Sequence, residues 1–442
     1  MPPGARPPRP PPPFSPEQAA RRNFRLSIWN GIFFNVGETF IDSSTVLTLF
    51  VTRLTDRNWL IGLAGSLQDV GWYLPQILTV QFLERQSRRL TLYNRMAFLR
   101  VLGLAAVTLT IFLLGDRHRT TTLGAFLVAY SVYALAGGFA AVSFYDVVGR
   151  TVPMERHARM WAYRLFFGGI VAALCAGLVR ALLGLPAFSL RFGFLFAIAT
   201  AFIALGTASF AFCYEPPVAV SRKAQHLAAH LRENMRVVWR DPAFLALYGT
   251  RVALSGVFMA TPFYVVFAVR VLHLQAAVVA GFLSAKIAGF VLANLAWHRL
   301  AKRHGNRGLM RRVAVTSAIG PGLALAAGVV PAPWPGWLIA AAFFLLGASV
   351  SGTNIAFQSL LLQIAPAARR PSYVGFMNSF LAPTTALPVL GGGLLDVSGP
   401  TVLFGVAAAC ALLAWWLAAR LPVGTAGEVA RPPGREGHEA QA

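Results

Sequence analysis

Charge is scarce in this sequence. Of its 442 residues only 12% are Asp, Glu, Lys or Arg, about half the share of an average soluble domain, and the mean hydropathy is +0.59. Carboxylates are scarcer still: 16 acids face 39 Lys and Arg, a formal net charge of +23. Cysteine is nearly absent. Cys175, Cys213 and Cys410 form no Cys-x-x-Cys pair and are odd in number, which excludes a disulfide framework or a thiolate metal site. All eight histidines, at 118, 157, 226, 230, 273, 298, 304 and 438, fall in expected loops, tails or helix ends. Neither a His-Glu-x-x-His nor a Gly-Lys-Ser/Thr motif occurs, so zinc hydrolysis and ATP-driven pumping lack their residues. No metal or other cofactor is expected.

Apolar residues, in contrast, come in long blocks. A membrane-crossing helix needs about 20 of them at 1.5 Å rise. Twelve such blocks are legible, at about 24–54, 59–83, 93–115, 122–148, 161–184, 191–214, 243–270, 276–298, 311–330, 336–364, 373–397 and 401–421. The block at 161–184 contains Arg164 and Arg180, and 311–330 contains Gly320-Pro321-Gly322. Residues 1–22 carry a proline-rich stretch expected to be a disordered cytoplasmic tail. The blocks divide into a six-helix bundle over 23–214 and another over 243–421. A polar, basic linker at 215–242 joins them, and a disordered tail at 422–442 follows.

The arginines are distributed by side. With a cytoplasmic N-terminus, the inward segments hold 27 Lys and Arg and the outward ones 7. The positive-inside rule then puts both termini in the cytoplasm of a cell whose inner membrane the chain spans. The basic residues sit in short clusters between apolar blocks, with no basic stripe interleaved with aromatics, so nucleic acid is not an expected partner. Membrane lipid and a small solute are, and the chain is expected to be a monomer.

The halves also resemble one another. A shift of 218 residues superposes Gly31 on Gly249, Ser66 on Ser284, Gly71 on Gly289, Arg85 on Arg303 and Arg89 on Arg307. Duplicated halves related by an axis along the membrane normal are a transporter architecture, with the solute site at the midplane.

The loop after the second block reads Val80-Gln81-Phe82-Leu83-Glu84-Arg85-Gln86-Ser87-Arg88-Arg89. It resembles the loop signature of the major facilitator superfamily: a Gly, then Asp-Arg, then Gly-Arg-Arg. Val80, Glu84 and Ser87 depart from that pattern. The loop after the eighth block, Lys302-Arg303-His304-Gly305-Asn306-Arg307, keeps the Arg and Gly. The resemblance covers about residues 21–422. It implies an all-α membrane fold of twelve helices in two pseudo-symmetric six-helix bundles, working as a secondary transporter by alternating access. It also implies a cytoplasmic gate of Glu84, Arg85, Arg88, Asp146, Arg303 and Arg307, with Asp146 paired to Arg88. The family's drug-antiporter signature is largely missing, because Ala181-Leu182 stand where Gly-Pro would follow Gly168 and Gly177.

Five charged residues fall deep in the blocks: Glu38, Asp42, Asp69, Arg251 and Lys286. An unpaired charge at that depth costs about 2.5–3.5 kcal/mol on insertion scales, so each is expected to face an interior or a wet cavity. Glu38 and Asp42 are four apart, hence on one face of a continuous helix. Two carboxylates so placed repel and favour sharing one proton, the property proton coupling requires. One reading has them face Arg251 as solute ligands or a proton-coupling site. The other has static pairing, Asp69 or Glu38 with Arg100 and Lys286 with Asp396. Tyr130, Tyr133, Ser349, Ser351, Thr353, Asn354 and Gln358 are further candidate hydrogen-bonding groups. Gly347-Ala348-Ser349-Val350-Ser351-Gly352 loosely resembles an intramembrane serine-protease motif, but no deep histidine is there to serve as base. An enzyme is therefore not expected. A lipid flippase or a non-transporting solute sensor remains the alternative to a carrier.

Overall fold

The computed structural model describes residues 14–84, 88–216, 238–366 and 370–421, and every regular element among them is helical. In chain order these are α1 Pro16–Phe40, α2 Val46–Thr52, α3 Asn58–Glu84, α4 Arg89–Leu114, α5 Arg119–Thr151, α6 Met154–Leu183, α7 Phe188–Ala211 and α8 Pro242–Phe258. There follow α9 Phe263–Val266, which runs into a π-helical turn at Phe267–Val271, then α10 Val278–Ala327, α11 Trp334–Ile364, α12 Arg370–Leu381 and α13 Leu387–Ala418.

Local chemistry explains where these helices start and break. Ser15 opens α1 with a capping box: its hydroxyl accepts from the Gln18 amide at 3.3 Å, and the Gln18 side chain accepts from the Ser15 amide at 3.0 Å. Residues 16–22, expected as part of a disordered tail, are therefore helical. The first apolar block is not one helix. It stops at Phe40, turns through residues 41–45 and resumes as α2. Asp42 makes that break, because its carboxylate accepts from the Ser44 amide (3.1 Å), the Ser44 hydroxyl (2.6 Å) and the Thr45 hydroxyl (2.9 Å). Such local side-chain bonds compete with the helical ladder. The expectation that Glu38 and Asp42 share one helical face is thus corrected: Asp42 lies beyond the C-cap, Ile41.

Eight helices among the described residues are long and apolar enough to cross a membrane. Two of them are each a pair of crossings joined at a glycine, Gly305 (φ 67°) in the 50-residue α10 and Gly399 (φ 79°) in α13. Both have ψ near 180°, a region open essentially to glycine alone. With α1–α2 and α3 the segments make twelve crossings, the all-α arrangement of two six-helix bundles. Pro262 and Pro383 stand at breaks within crossings, the first between α8 and α9 and the second in a 3-10 turn at Ala382–Ala386.

By packing, the chain forms two units: residues 1–55 with 67–224, and 56–66 with 225–442. Of the linker expected at 215–242, residues 217–237 lie outside the described residues, as do 1–13 and 422–442. In each unit two helices cross at a pair of glycines. In the first, a Cβ at Gly138 of α5 would overlap the carbonyl oxygen of Gly71 in α3. In the second, a Cβ at Gly289 of α10 would overlap the Phe344 carbonyl oxygen, and one at Gly347 of α11 the Lys286 carbonyl oxygen. Small residues let the backbones meet where lipid supplies no hydrophobic drive. Gly71 and Gly289, matched by the internal repeat, therefore do the same job.

Asp116, in the turn after α4, caps α7 from outside. Its carboxylate accepts from the Ser189 hydroxyl and from the Ser189 amide at 3.0 Å. The hydroxyl bond chiefly, helped by backbone bonds from Ser189 and Phe188, holds this carboxyl below its ordinary 3.8, against the opposing effect of burial, which outweighs either backbone bond alone. A depressed carboxyl stabilises the fold above its unfolded pKa and loses that contribution as pH falls through the folded value. Acidification below about pH 4 should therefore lower the thermal unfolding temperature, and Asp116→Asn should flatten that part of the acid limb.

Candidate functional site

Within the first unit, α1, α3, α4 and α5 bring Glu38, Gln68, Arg100, Tyr130 and Tyr133 into one hydrogen-bonded network. Glu38 Oε1 accepts from the Tyr133 hydroxyl at 2.5 Å and from Arg100 Nη2 at 3.3 Å. Its Oε2 accepts from the Gln68 amide, whose own oxygen accepts from the Tyr130 hydroxyl at 3.2 Å. Arg100 Nη2 also donates to the Tyr133 hydroxyl at 2.8 Å. The guanidinium lies 4.6 Å from the centroid of Phe34 and 4.5 Å from that of Tyr133, so aromatic faces supply part of the solvation that water would give. The Arg100 side chain is 7% exposed and that of Glu38 19%. Glu38 and Arg100 thus form an ion pair inside the unit, the arrangement named as the static alternative.

Beside this pair lies a cavity of about 190 Å³. Asn30, Asn35, Trp72, Tyr93, Tyr145 and Thr207 contribute to its wall, and its charged lining residues are both arginines, Arg100 and Arg164. Arg164 comes from α6 and is 8% exposed. Its Nη1 donates to the Ser27 carbonyl and, at 3.1 Å, to Asn30 Oδ1. Its guanidinium sits 4.8 Å from the ring centroids of both Phe144 and Trp161. Asn30 is held in turn by the Gly206 carbonyl at 2.8 Å and the Tyr93 hydroxyl at 3.3 Å.

The other expected residues are placed as follows. Asp69 is exposed in α3, next to Gln68. In the second unit Arg251 is half-buried on α8, 5.5 Å from the centroid of Phe357, and Lys286 is half-buried on α10. Asp396, offered as a partner for Lys286, accepts from the Asn58 side-chain amide at 2.7 Å.

At the expected cytoplasmic gate the pairing differs from expectation. Asp146 does not pair with Arg88, which is exposed at the N-cap of α4. It pairs with Arg89 at 3.7 Å and, one helical turn along α5, with Arg150 at 2.9 Å. Arg88 still has extended backbone, whereas Arg89 is the first residue of α4, and that one-residue step turns it toward α5. Arg85 and the side chain of Glu84 lie outside the described residues. Arg303 is exposed and Arg307 half-buried near the Gly305 turn.

Glu215 was missed by sequence reasoning. It is 5% exposed, and its carboxylate accepts from the Arg89 amide at 3.0 Å and the Leu90 amide at 2.7 Å, capping α4. Its acidic side chain beside Pro216 at the end of the sixth block was the visible sign; its partners, more than a hundred residues away, were not.

The model of the Major Facilitator Superfamily matches residues 32–382 and 272–441. Among solved structures, a nucleoside transporter, NupG, is similar at TM-score 0.67 and 14% identity, covering 91% of this chain and 99% of its own. A D-xylose-proton symporter is similar at TM-score 0.67 and 14% identity, covering 90% and 97%. A bacterial homologue of the iron transporter ferroportin, in an inward-facing state, is similar at TM-score 0.67 and 13% identity, covering 91% and 98%. No curated protein sequence matches the chain.

Proposed function

Because the chain belongs to the major facilitator superfamily, with that family's transporter fold rather than an enzyme's, we propose that it moves a small solute by alternating access, coupled to protons. The observation that carries this reading is the Glu38–Arg100 pair beside a cavity inside a unit built of apolar helices. A carboxylate held by three side-chain donors in such surroundings changes the balance of the whole network when it takes a proton. Glu38 is therefore assigned the proton, with Asp69, Arg251 and Lys286 as further polar groups for solute or coupling ion. Asp42, engaged in its own turn, is assigned a structural share in breaking the first crossing. Glu84, Arg85, Arg88, Arg303 and Arg307 remain the proposed cytoplasmic gate, with the Asp146–Arg89 pair as its latch. Breaking such a pair biases a two-state equilibrium only by its differential strength in the two states.

Counterflow in proteoliposomes tests the reading. Solutes are first ranked by how far they raise the thermal unfolding temperature of the purified protein, and the leading one is then loaded at high concentration on one side. Transient accumulation of labelled solute on the other side is the expected result. Solute-dependent stabilisation with no flux at any pH gradient would reject transport in favour of sensing.

A further inference from the structure

The two arginines of the cavity are not equivalent. Arg100 is matched by Glu38 at 3.3 Å. Arg164 has no carboxylate within 4.0 Å among the described residues. Its hydrogen bonds among the described residues both leave from Nη1, so its Nε–Nη2 edge has no acceptor. A guanidinium in a membrane-crossing helix is costly to hold there, and Arg is charged at every accessible pH. What the fold supplies instead is a frame: Phe144 and Trp161 at its faces, and the Ser27 carbonyl and Asn30 fixing one end. This edge without an acceptor, whose Nε end packs beside Gly31 of α1, is the one that takes a carboxylate side-on, through two parallel N–H···O bonds.

We propose that this cavity binds a small organic anion, its carboxylate on the Nε–Nη2 edge of Arg164 and its apolar or aromatic body against the walls near Phe34, Trp72 and Tyr145. With Glu38 ionised, the lining and its nearest neighbour leave about one uncompensated positive charge, which favours a monoanion over a neutral or cationic solute. A cavity of about 190 Å³ suits a compact molecule better than a lipid or a long peptide. This assignment names the solute class of the carrier proposed above. Binding is measured apart from flux, so the two can fail separately.

Three probes with the same ring and different charge decide it: benzoate, benzamide and benzylamine, titrated against the purified full-length protein by thermal shift and by tryptophan fluorescence, Trp72 and Trp161 being close enough to report. Benzoate alone should stabilise and change the fluorescence. Arg164→Gln should weaken that binding about tenfold or more. Arg164→Lys, which keeps the charge but loses the planar fork, should weaken it less and stands in if the glutamine variant does not fold. An equal response to benzamide or benzylamine, no response to benzoate, or benzoate binding unchanged in either variant would overturn the proposal. Benzoate binding without counterflow would reject the carrier and keep the site, whereas counterflow of a neutral or cationic solute with no benzoate binding would do the reverse.

Discussion

Glu38→Gln should destabilise the first unit by about 3 kcal/mol, the low end of the ~3–5 kcal/mol expected when one member of a buried ion pair is removed. The substitution keeps an oxygen that can accept from Tyr133 and Arg100, so what is lost is the charge. Arg100 is then stranded at 7% exposure and cannot shed its proton. The rings of Phe34 and Tyr133 offset part of that cost, by about 0.5–2 kcal/mol, and the 19% exposure of Glu38 keeps the loss near the bottom of the range. Arg100→Gln should cost less at mildly acidic pH, because the carboxylate left behind can take up a proton. The double variant should recover most of the loss, the non-additivity that marks a direct pair. Thermal unfolding of the four proteins in one detergent at pH 5 and 8 checks all three statements. Additive losses would show that the two charges are held by other partners.

Gly347→Ala should be among the most damaging single-methyl changes in the second unit. The added Cβ would meet the carbonyl oxygen of Lys286 and, at 2.8 Å, the amide nitrogen of Phe290. Both are backbone atoms of α10, which no rotamer change can move aside. The helices must separate, and the opposite glycine of the crossing, Gly289, loses its close contact as well. Overpacking ordinarily costs about 1–3 kcal/mol, and a backbone clash at the centre of a crossing belongs at the top of that range or above it. Gly281→Ala, on α10, is the control, since a Cβ there would meet nothing within 4 Å. Monodisperse protein recovered by size exclusion should fall several-fold for Gly347→Ala and stay unchanged for Gly281→Ala. Equal recovery of the two would mean that the crossing tolerates a wider spacing than its glycines suggest.

Much of the fold was legible because its signal is coarse. A crossing needs only enough consecutive apolar residues, and every block read from the sequence has helical counterparts, including the arginine-bearing 161–184 in α6. The failures came where one residue of register mattered. Asp42-Ser43-Ser44-Thr45 carries the hydroxyl-rich pattern of a local turn, yet hydroxyls also sit readily inside membrane helices, so the break there was overridden by the apolar residues around it. Arg88 and Arg89 cannot be ranked as partners of Asp146 until the first residue of α4 is known. Of the site, the candidacy of Glu38 and the option of pairing it with Arg100 were visible as charges in apolar blocks. Arg164 is legible in the sequence only as a charge inside its block. Its framing by Ser27, Asn30, Phe144 and Trp161 joins residues from three crossings, and no spacing rule reports such a meeting. Gly71 and Gly289 stood out through the repeat, but their opposite glycines, Gly138 and Gly347, did not, because the depth at which two helices cross is not written in either one alone.

The most direct test of the account is the pH dependence of counterflow in proteoliposomes, wild type against Glu38→Gln, both matched for inserted protein. The wild type should exchange solute at a rate that varies with internal pH, and the variant should exchange at a rate that no longer does. If the variant matched the wild type in rate and in pH profile, Glu38 would carry no proton for transport, and the network around it would be a fixture of helix packing.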